Sequence, residues 1–172
     1  MKRTLTAVAA GALVLAGLSL AAPQQDTYNL TANLRARFEV PKPTGVPTGA
    51  VGVFTGKVVE LENDKARVTW RLTFSKLSGR ADAAHIHLGK AGKAGGVMLA
   101  LCGPCRNAQR GAGTITHDQL RSIRAGRTYV NVHTPKNAAG EIRGQVKASE
   151  AASSSSADPS PPPPSPDPPP YP

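Results

Sequence analysis

Residues 28–40 read YNLTANLRARFEV and alternate without a break. The even positions, Tyr28, Leu30, Ala32, Leu34, Ala36, Phe38 and Val40, are apolar, and the odd ones, Asn29, Thr31, Asn33, Arg35, Arg37 and Glu39, are polar. A period of two marks an extended chain with one buried face, because successive side chains of a strand point to opposite sides. Pro41, Pro43 and Pro47 stop it, since proline cannot donate to a ladder. A Val-rich second strand is predicted over 50–61. Glu62-Asn63-Asp64-Lys65 forms a natural hairpin turn into a third, where Ala66, Val68, Trp70, Leu72 and Phe74 alternate with Arg67, Thr69, Arg71 and Thr73. The only tryptophan sits on the buried face of that strand.

Shorter strands are expected at 83–88, 97–101, 127–134 and 141–147, which makes about seven. One short helix interrupts them. Thr116 is its N-cap with Gln119 three residues on, Leu120 and Ile123 face inward, and Gly126 ends it. Strands of this number and spacing predict an all-β domain, a sandwich or barrel, with the helix plugging one end.

Beyond this domain the chain changes character. It has 172 residues, 40% hydrophobic and only 4% aromatic, enough for one core and too few for several. Met1, Lys2 and Arg3 precede an apolar run from Leu5 to Leu20, and Ser19 and Ala21 are the small residues of a cleavage site. That run is shorter than the roughly 20 residues a bilayer crossing needs. Residues 1–22 are therefore expected to be a signal peptide, leaving a secreted or extracytoplasmic protein with no transmembrane segment after cleavage. Residues 151–172, AASSSSADPSPPPPSPDPPPYP, hold ten of the sixteen prolines and almost nothing aliphatic. Such a tail cannot bury enough surface to offset its ordering entropy and is expected to be disordered.

The folded part, 26–150, carries 19 basic and nine acidic residues. The positive charge is spread out and has few aromatics to stack bases, so nucleic acid is not the expected partner. An extracellular protein or an anionic surface polymer is.

Three strings in order, AHIHLGKAGKAGGVMLAL, GAGTITHDQLRSIRAGRTYVNVHTPKNAAGEIRGQV and, ahead of both, LRARFEVPKPTGVPTGAVGVF, resemble the CHRD (chordin) domain over about residues 26–148. The resemblance implies an immunoglobulin-like antiparallel β-sandwich outside the cytoplasm and no established enzyme activity.

Three of the four histidines fall in the AHIH and YVNVHT segments of these strings. In an extended strand His85 and His87 share a face, about 7 Å apart at Cα, opposite Ala84, Ile86 and Leu88. Tyr129, Asn131 and His133 share another, opposite Val130 and Val132. If these strands are neighbours, His85, His87 and His133 can converge on copper or zinc, with Glu141 or a water as a further ligand. The HxH pair also resembles that of copper/zinc superoxide dismutases. The competing reading has the histidines hydrogen-bonded to backbone or to Glu141 and Arg143, with no metal required for folding. His117, at the helix start, is read as a surface residue.

Cys102-Gly103-Pro104-Cys105 has the spacing of a thioredoxin active site, where the first thiol lies at a helix N-terminus. Here a polar loop follows, so a local disulfide in an oxidising compartment is expected, with a thiol-disulfide oxidoreductase as the lesser alternative. No GxSxG, HExxH or GxxxxGK[ST] pattern is present, and the glycine-rich 89–96 stretch is read as a mobile connection. The sequence thus points to an exported binding or structural module of unknown ligand. A histidine-based metal-binding or dismutase-like protein is the alternative.

Overall fold

A computed structural model describes residues 25–151; the signal peptide expected at 1–22 and nearly all of the 151–172 tail lie outside the described residues. Nine strands, one 3-10 turn and one α-helix follow in order: β1 Thr27–Arg35, the turn Ala36–Phe38, β2 Val51–Glu60, β3 Lys65–Ser75, β4 Ala83–Leu88, β5 Val97–Cys102, β6 Gln109–Thr116, α1 His117–Arg124, β7 Thr128–His133, β8 Ile142–Gln145 and β9 Lys147–Glu150. The described residues are mostly β with one short helix, as the alternation requires.

Hydrogen bonding joins the strands in the order β5-β4-β7-β8-β1-β2-β3-β6, with β9 also on β1, and the strand pairs are antiparallel. The path is held through its middle by a single pair, Arg35 with Arg143. Its two end strands then approach each other, Leu99 of β5 lying over Gly113 of β6. The result is one curled, nearly closed sheet, where the family resemblance implies two immunoglobulin-like layers.

Alternating apolar residues of these strands form the interior. Leu30, Leu34, Phe54, Val58, Leu72, Ile86 and Val130 are each 0–1% exposed, and burying a side chain of this kind contributes roughly 1.5–3 kcal/mol. The β2–β3 hairpin turns at Asn63 and Asp64, both at positive φ (58° and 56°), the pair of conformations that a tight two-residue hairpin turn demands. The capping box of α1 is complete: Thr116 Oγ1 accepts from the Gln119 N–H, and Gln119 Oε1 accepts from the Thr116 N–H. Leu120 and Ile123 are buried, and Gly126 at φ 64° closes the helix.

Several boundaries differ from expectation for identifiable reasons. The first strand ends at Arg35 rather than Val40, because the 3-10 turn shifts the phase: Phe38 becomes 45% exposed and Glu39 only 2%. The expected strand at 141–147 is two strands, divided at Val146, whose N–H donates to the Thr128 carbonyl. Gly144 of β8 passes so close to β1 that a Cβ there would lie 2.5 Å from the Asn33 carbonyl oxygen. The polar connection expected at 106–113 is largely strand β6. It pairs with β3 because Gly111 lies directly opposite Trp70 and leaves room for the indole ring, with which a Cβ would collide.

Candidate metal centre

β4 lies between β5 and β7. Its inward residues Ala84 and Ile86 are fully buried in the core, so His85 and His87 emerge on the opposite face. The β4–β7 register sets His85 opposite Asn131, His87 opposite Tyr129 and Ala83 opposite His133. On the β5 side the register shifts on both sides of the His85–Ile86 segment, between Ala84 and His85 and between Ile86 and His87, and irregularities of this kind re-aim side chains. The three imidazoles converge: one ligand atom from each of His85, His87 and His133 lies within 4.8 Å of the others.

Two backbone carbonyls fix the rings. His87 Nδ1 is 2.9 Å from the Gly95 carbonyl oxygen and His133 Nδ1 is 2.9 Å from that of Ala138. A carbonyl only accepts, so both Nδ1 atoms carry protons and both Nε2 atoms keep their lone pairs. The Nε2 of His133 is 3.0 Å from His85 Nδ1. The Nε2 of His87 is buried and has no hydrogen-bond partner. Locking one ring nitrogen to a carbonyl while the other points at a common centre is the usual support of a metal-ligating histidine. Burial, followed by the nearby His133 and His87, pushes His85 down to about 4. His133 is also held low, by burial and by His87, against the opposing bond to Ala138. Both are neutral at pH 7, the form that binds metal.

The surrounding wall is aromatic. The His87 ring lies parallel to that of Tyr129, with centroids 4.9 Å apart and an interplanar angle of 6°. The Arg143 guanidinium carbon stands 3.4 Å from the Tyr129 centroid. Segment 89–96, read from sequence as a mobile connection, is tied down over this wall. Arg143 Nη2 donates to the carbonyls of Lys90 and Lys93 at 3.0 and 2.9 Å, and the Tyr129 hydroxyl accepts from the Gly95 N–H at 3.2 Å. Composition alone gave no sign of this, because the anchoring groups on the segment are main-chain atoms.

Glu141 does not join the histidines, and its expected role as a ligand is corrected. Its Oε1 accepts from the Ser78 N–H at 2.6 Å, and its Oε2 accepts from the Ser78 hydroxyl, from Thr134 Oγ1 at 2.5 Å and from Asn137 Nδ2 at 3.0 Å. Burial pushes this carboxyl up, but the bonds from Ser78, Thr134 and Asn137 together outweigh it and hold the group below its ordinary value. Glu141 thus organises the 134–141 loop that presents the Ala138 carbonyl to His133. His117 is half-buried rather than a plain surface residue, its Nε2 3.1 Å from the Lys65 carbonyl oxygen.

Cys102 and Cys105 are disulfide-bonded, with Cα atoms 5.1 Å apart. The pair closes the end of β5 and leads through a turn into β6. Neither cysteine stands at the start of a helix, so the setting that activates a thioredoxin-type thiol is missing here.

Fold and site together define a small, nearly closed antiparallel β domain with a three-histidine corner on the outer face of β4 and β7. The family model for the CHRD domain matches residues 30–146, and the chain belongs to that family. No curated protein and no solved structure matches it. Among the described residues no helix is long and apolar enough to cross a membrane.

Proposed function

We propose that this chain is an exported binding module of the CHRD family, and that the species bound at its histidine corner is a copper or zinc ion. The observation that carries the metal is the buried, unpartnered Nε2 of His87, in a group that also holds the His133 Nε2–His85 Nδ1 contact and whose three ligand atoms lie within 4.8 Å of one another. An unsatisfied buried acceptor costs about 1–3 kcal/mol, a cost that a bound cation removes. The dimensions fit. With metal–nitrogen bonds of about 2.0–2.1 Å, tetrahedral ligands stand about 3.4 Å apart, so the set needs only a modest contraction from its present span.

His85, His87 and His133 would supply three imidazole nitrogens and leave further positions open to water or a ligand. Neutral imidazoles without thiolate or carboxylate suit copper and zinc over magnesium or calcium. The chain's own contribution is to keep His85 and His133 unprotonated and to hold the three rings oriented and partly shielded by segments 89–96 and 134–141. The geometry supports binding and adds no group that would assign a reaction. Export is supported by the signal-like start of the sequence and by the family's extracellular association.

The test is calorimetric titration of the metal-stripped full chain with Cu(II) and with Zn(II). One equivalent is taken up saturably, and His85→Ala, His87→Ala and His133→Ala each weaken it by roughly 100-fold or more. Absence of saturable uptake at micromolar metal overturns the metal reading and leaves the family assignment intact.

A further inference from the structure

A second concave site lies across the sheet on the outer face of β1, where β8 and β9 pass it. It is a cleft of about 720 Å³, within the range that holds small organic ligands. Five cations line it: Arg35, Arg37, Lys42, Arg143 and Lys147. None of the five makes an ion pair among the described residues. Arg143 is 1% exposed and keeps its buried Nη1 without a hydrogen-bond partner. The one acidic residue of the lining, Glu39, is raised by burial to about 7, so at neutral pH it is about half-ionised and offsets only part of one of the five positive charges.

An uncompensated positive cleft selects an anion. The rest of the lining says which kind. Phe38, 45% exposed, offers a flat apolar ring at the rim, backed by the Arg37 guanidinium 4.7 Å from its centroid. Thr31 and Asn33 add exposed hydroxyl and amide groups on the outward face of β1. Cations, an aromatic platform and neutral donors and acceptors along one strand match a saccharide that carries carboxylates, with its C–H face on the ring and its hydroxyls on the amides. A bare phosphate would use only the cations.

We infer that this cleft binds an acidic saccharide, a short run of uronic-acid residues within a glycan. The inference rests on the binding-module reading but not on the metal, since Arg35, Arg37 and Lys147 lie on β1, on the turn that follows it and on β9, away from the histidines of β4 and β7.

The experiment titrates metal-stripped full chain with trigalacturonate, with its fully methyl-esterified neutral form and with inorganic phosphate. Trigalacturonate binds saturably and weakens as salt rises from about 0.02 to about 0.3 M. The ester and phosphate bind at least about tenfold more weakly, and Arg37→Glu and Lys147→Glu each cost roughly tenfold. Both substitutions are at exposed positions, and an unchanged melting temperature shows that the fold is kept. No saturable uptake, equal affinity for the ester, or unaltered affinity in both variants overturns the inference. Phosphate binding as tightly as the sugar reduces the cleft to a simple anion site and also overturns it. A negative outcome here leaves the copper and zinc titration untouched, so the two readings fail separately.

Discussion

His87 is stacked on Tyr129, ring on ring at 4.9 Å and within 6° of parallel, and the two residues are directly opposed in the β4–β7 ladder. Tyr129 also receives the Arg143 guanidinium at 3.4 Å, so one tyrosine stands between the histidine corner and the basic cleft. It holds His87 by its ring and segment 89–96 by its hydroxyl.

Removing that ring should loosen the metal without removing a ligand. Tyr129→Leu is expected to lower Cu(II) affinity by about 10-fold, the usual cost of losing a supporting contact. Tyr129→Phe keeps the stack, loses the hydroxyl's bonds with the Gly95 N–H and carbonyl, and is expected to bind metal nearly as wild type does. Equal losses in the two variants would show that the hydroxyl, not the stacking, positions His87.

Metal should also stabilise the fold, because the ligand set exists only in the folded chain. At a free concentration 100 times Kd the gain is about 2.7 kcal/mol, readable as a raised melting temperature. The His87→Ala protein should show little of that rise, and a full rise in the variant would place the ion elsewhere.

Trp70 and Gly111 form a cross-strand pair in which the indole occupies the space a side chain would need. Gly111→Ala should therefore cost about 1–3 kcal/mol through overpacking. Urea denaturation followed by the fluorescence of the single tryptophan measures it directly. A loss below about 0.5 kcal/mol, typical of an unremarkable surface change, would contradict the packing described.

Glu39 gives the fold a pH dependence of known sign. Its folded value is raised to about 7, against about 4.5 when unfolded. Its contribution to stability is therefore full below about pH 4.5 and is lost as pH rises toward and through 7, because the unfolded chain gives up the proton first. Glu39→Gln keeps an acceptor for the Val40 N–H and cannot ionise. The variant should melt higher than wild type at pH 8 and lose that advantage at pH 4.5. Parallel melting curves across this range would contradict the burial of an ionisable group here.

Much of the frame could be read directly from the chain. β3 alternates from Ala66 to Leu72 as its residues do, and the helix cap at Thr116 and Gln119 has the expected reciprocal bonds. What periodicity missed was its own failure at Phe38 and Glu39, where a 3-10 turn exchanges inside for outside and buries a carboxylate that an alternating pattern assigns to solvent. Strand β6 was hidden because its glycines answer a tryptophan distant in sequence, and no local propensity records that partner. In the histidine corner, the two-residue spacing in β4 and the matching face of β7 were legible. The carbonyls of Gly95 and Ala138 that orient the rings were not, since a main-chain oxygen leaves no trace in residue identity. Glu141 misled for the opposite reason: its type suits a metal, but hydroxyls and an amide consume its oxygens first.

The curl that brings Leu99 over Gly113 has a consequence for life in concentrated surroundings. A flat sheet offers its outermost strands as templates on which other chains can polymerise. Here the two terminal strands turn toward each other, so each screens its counterpart from intruding polypeptide. The domain carries its own guard against fibril growth.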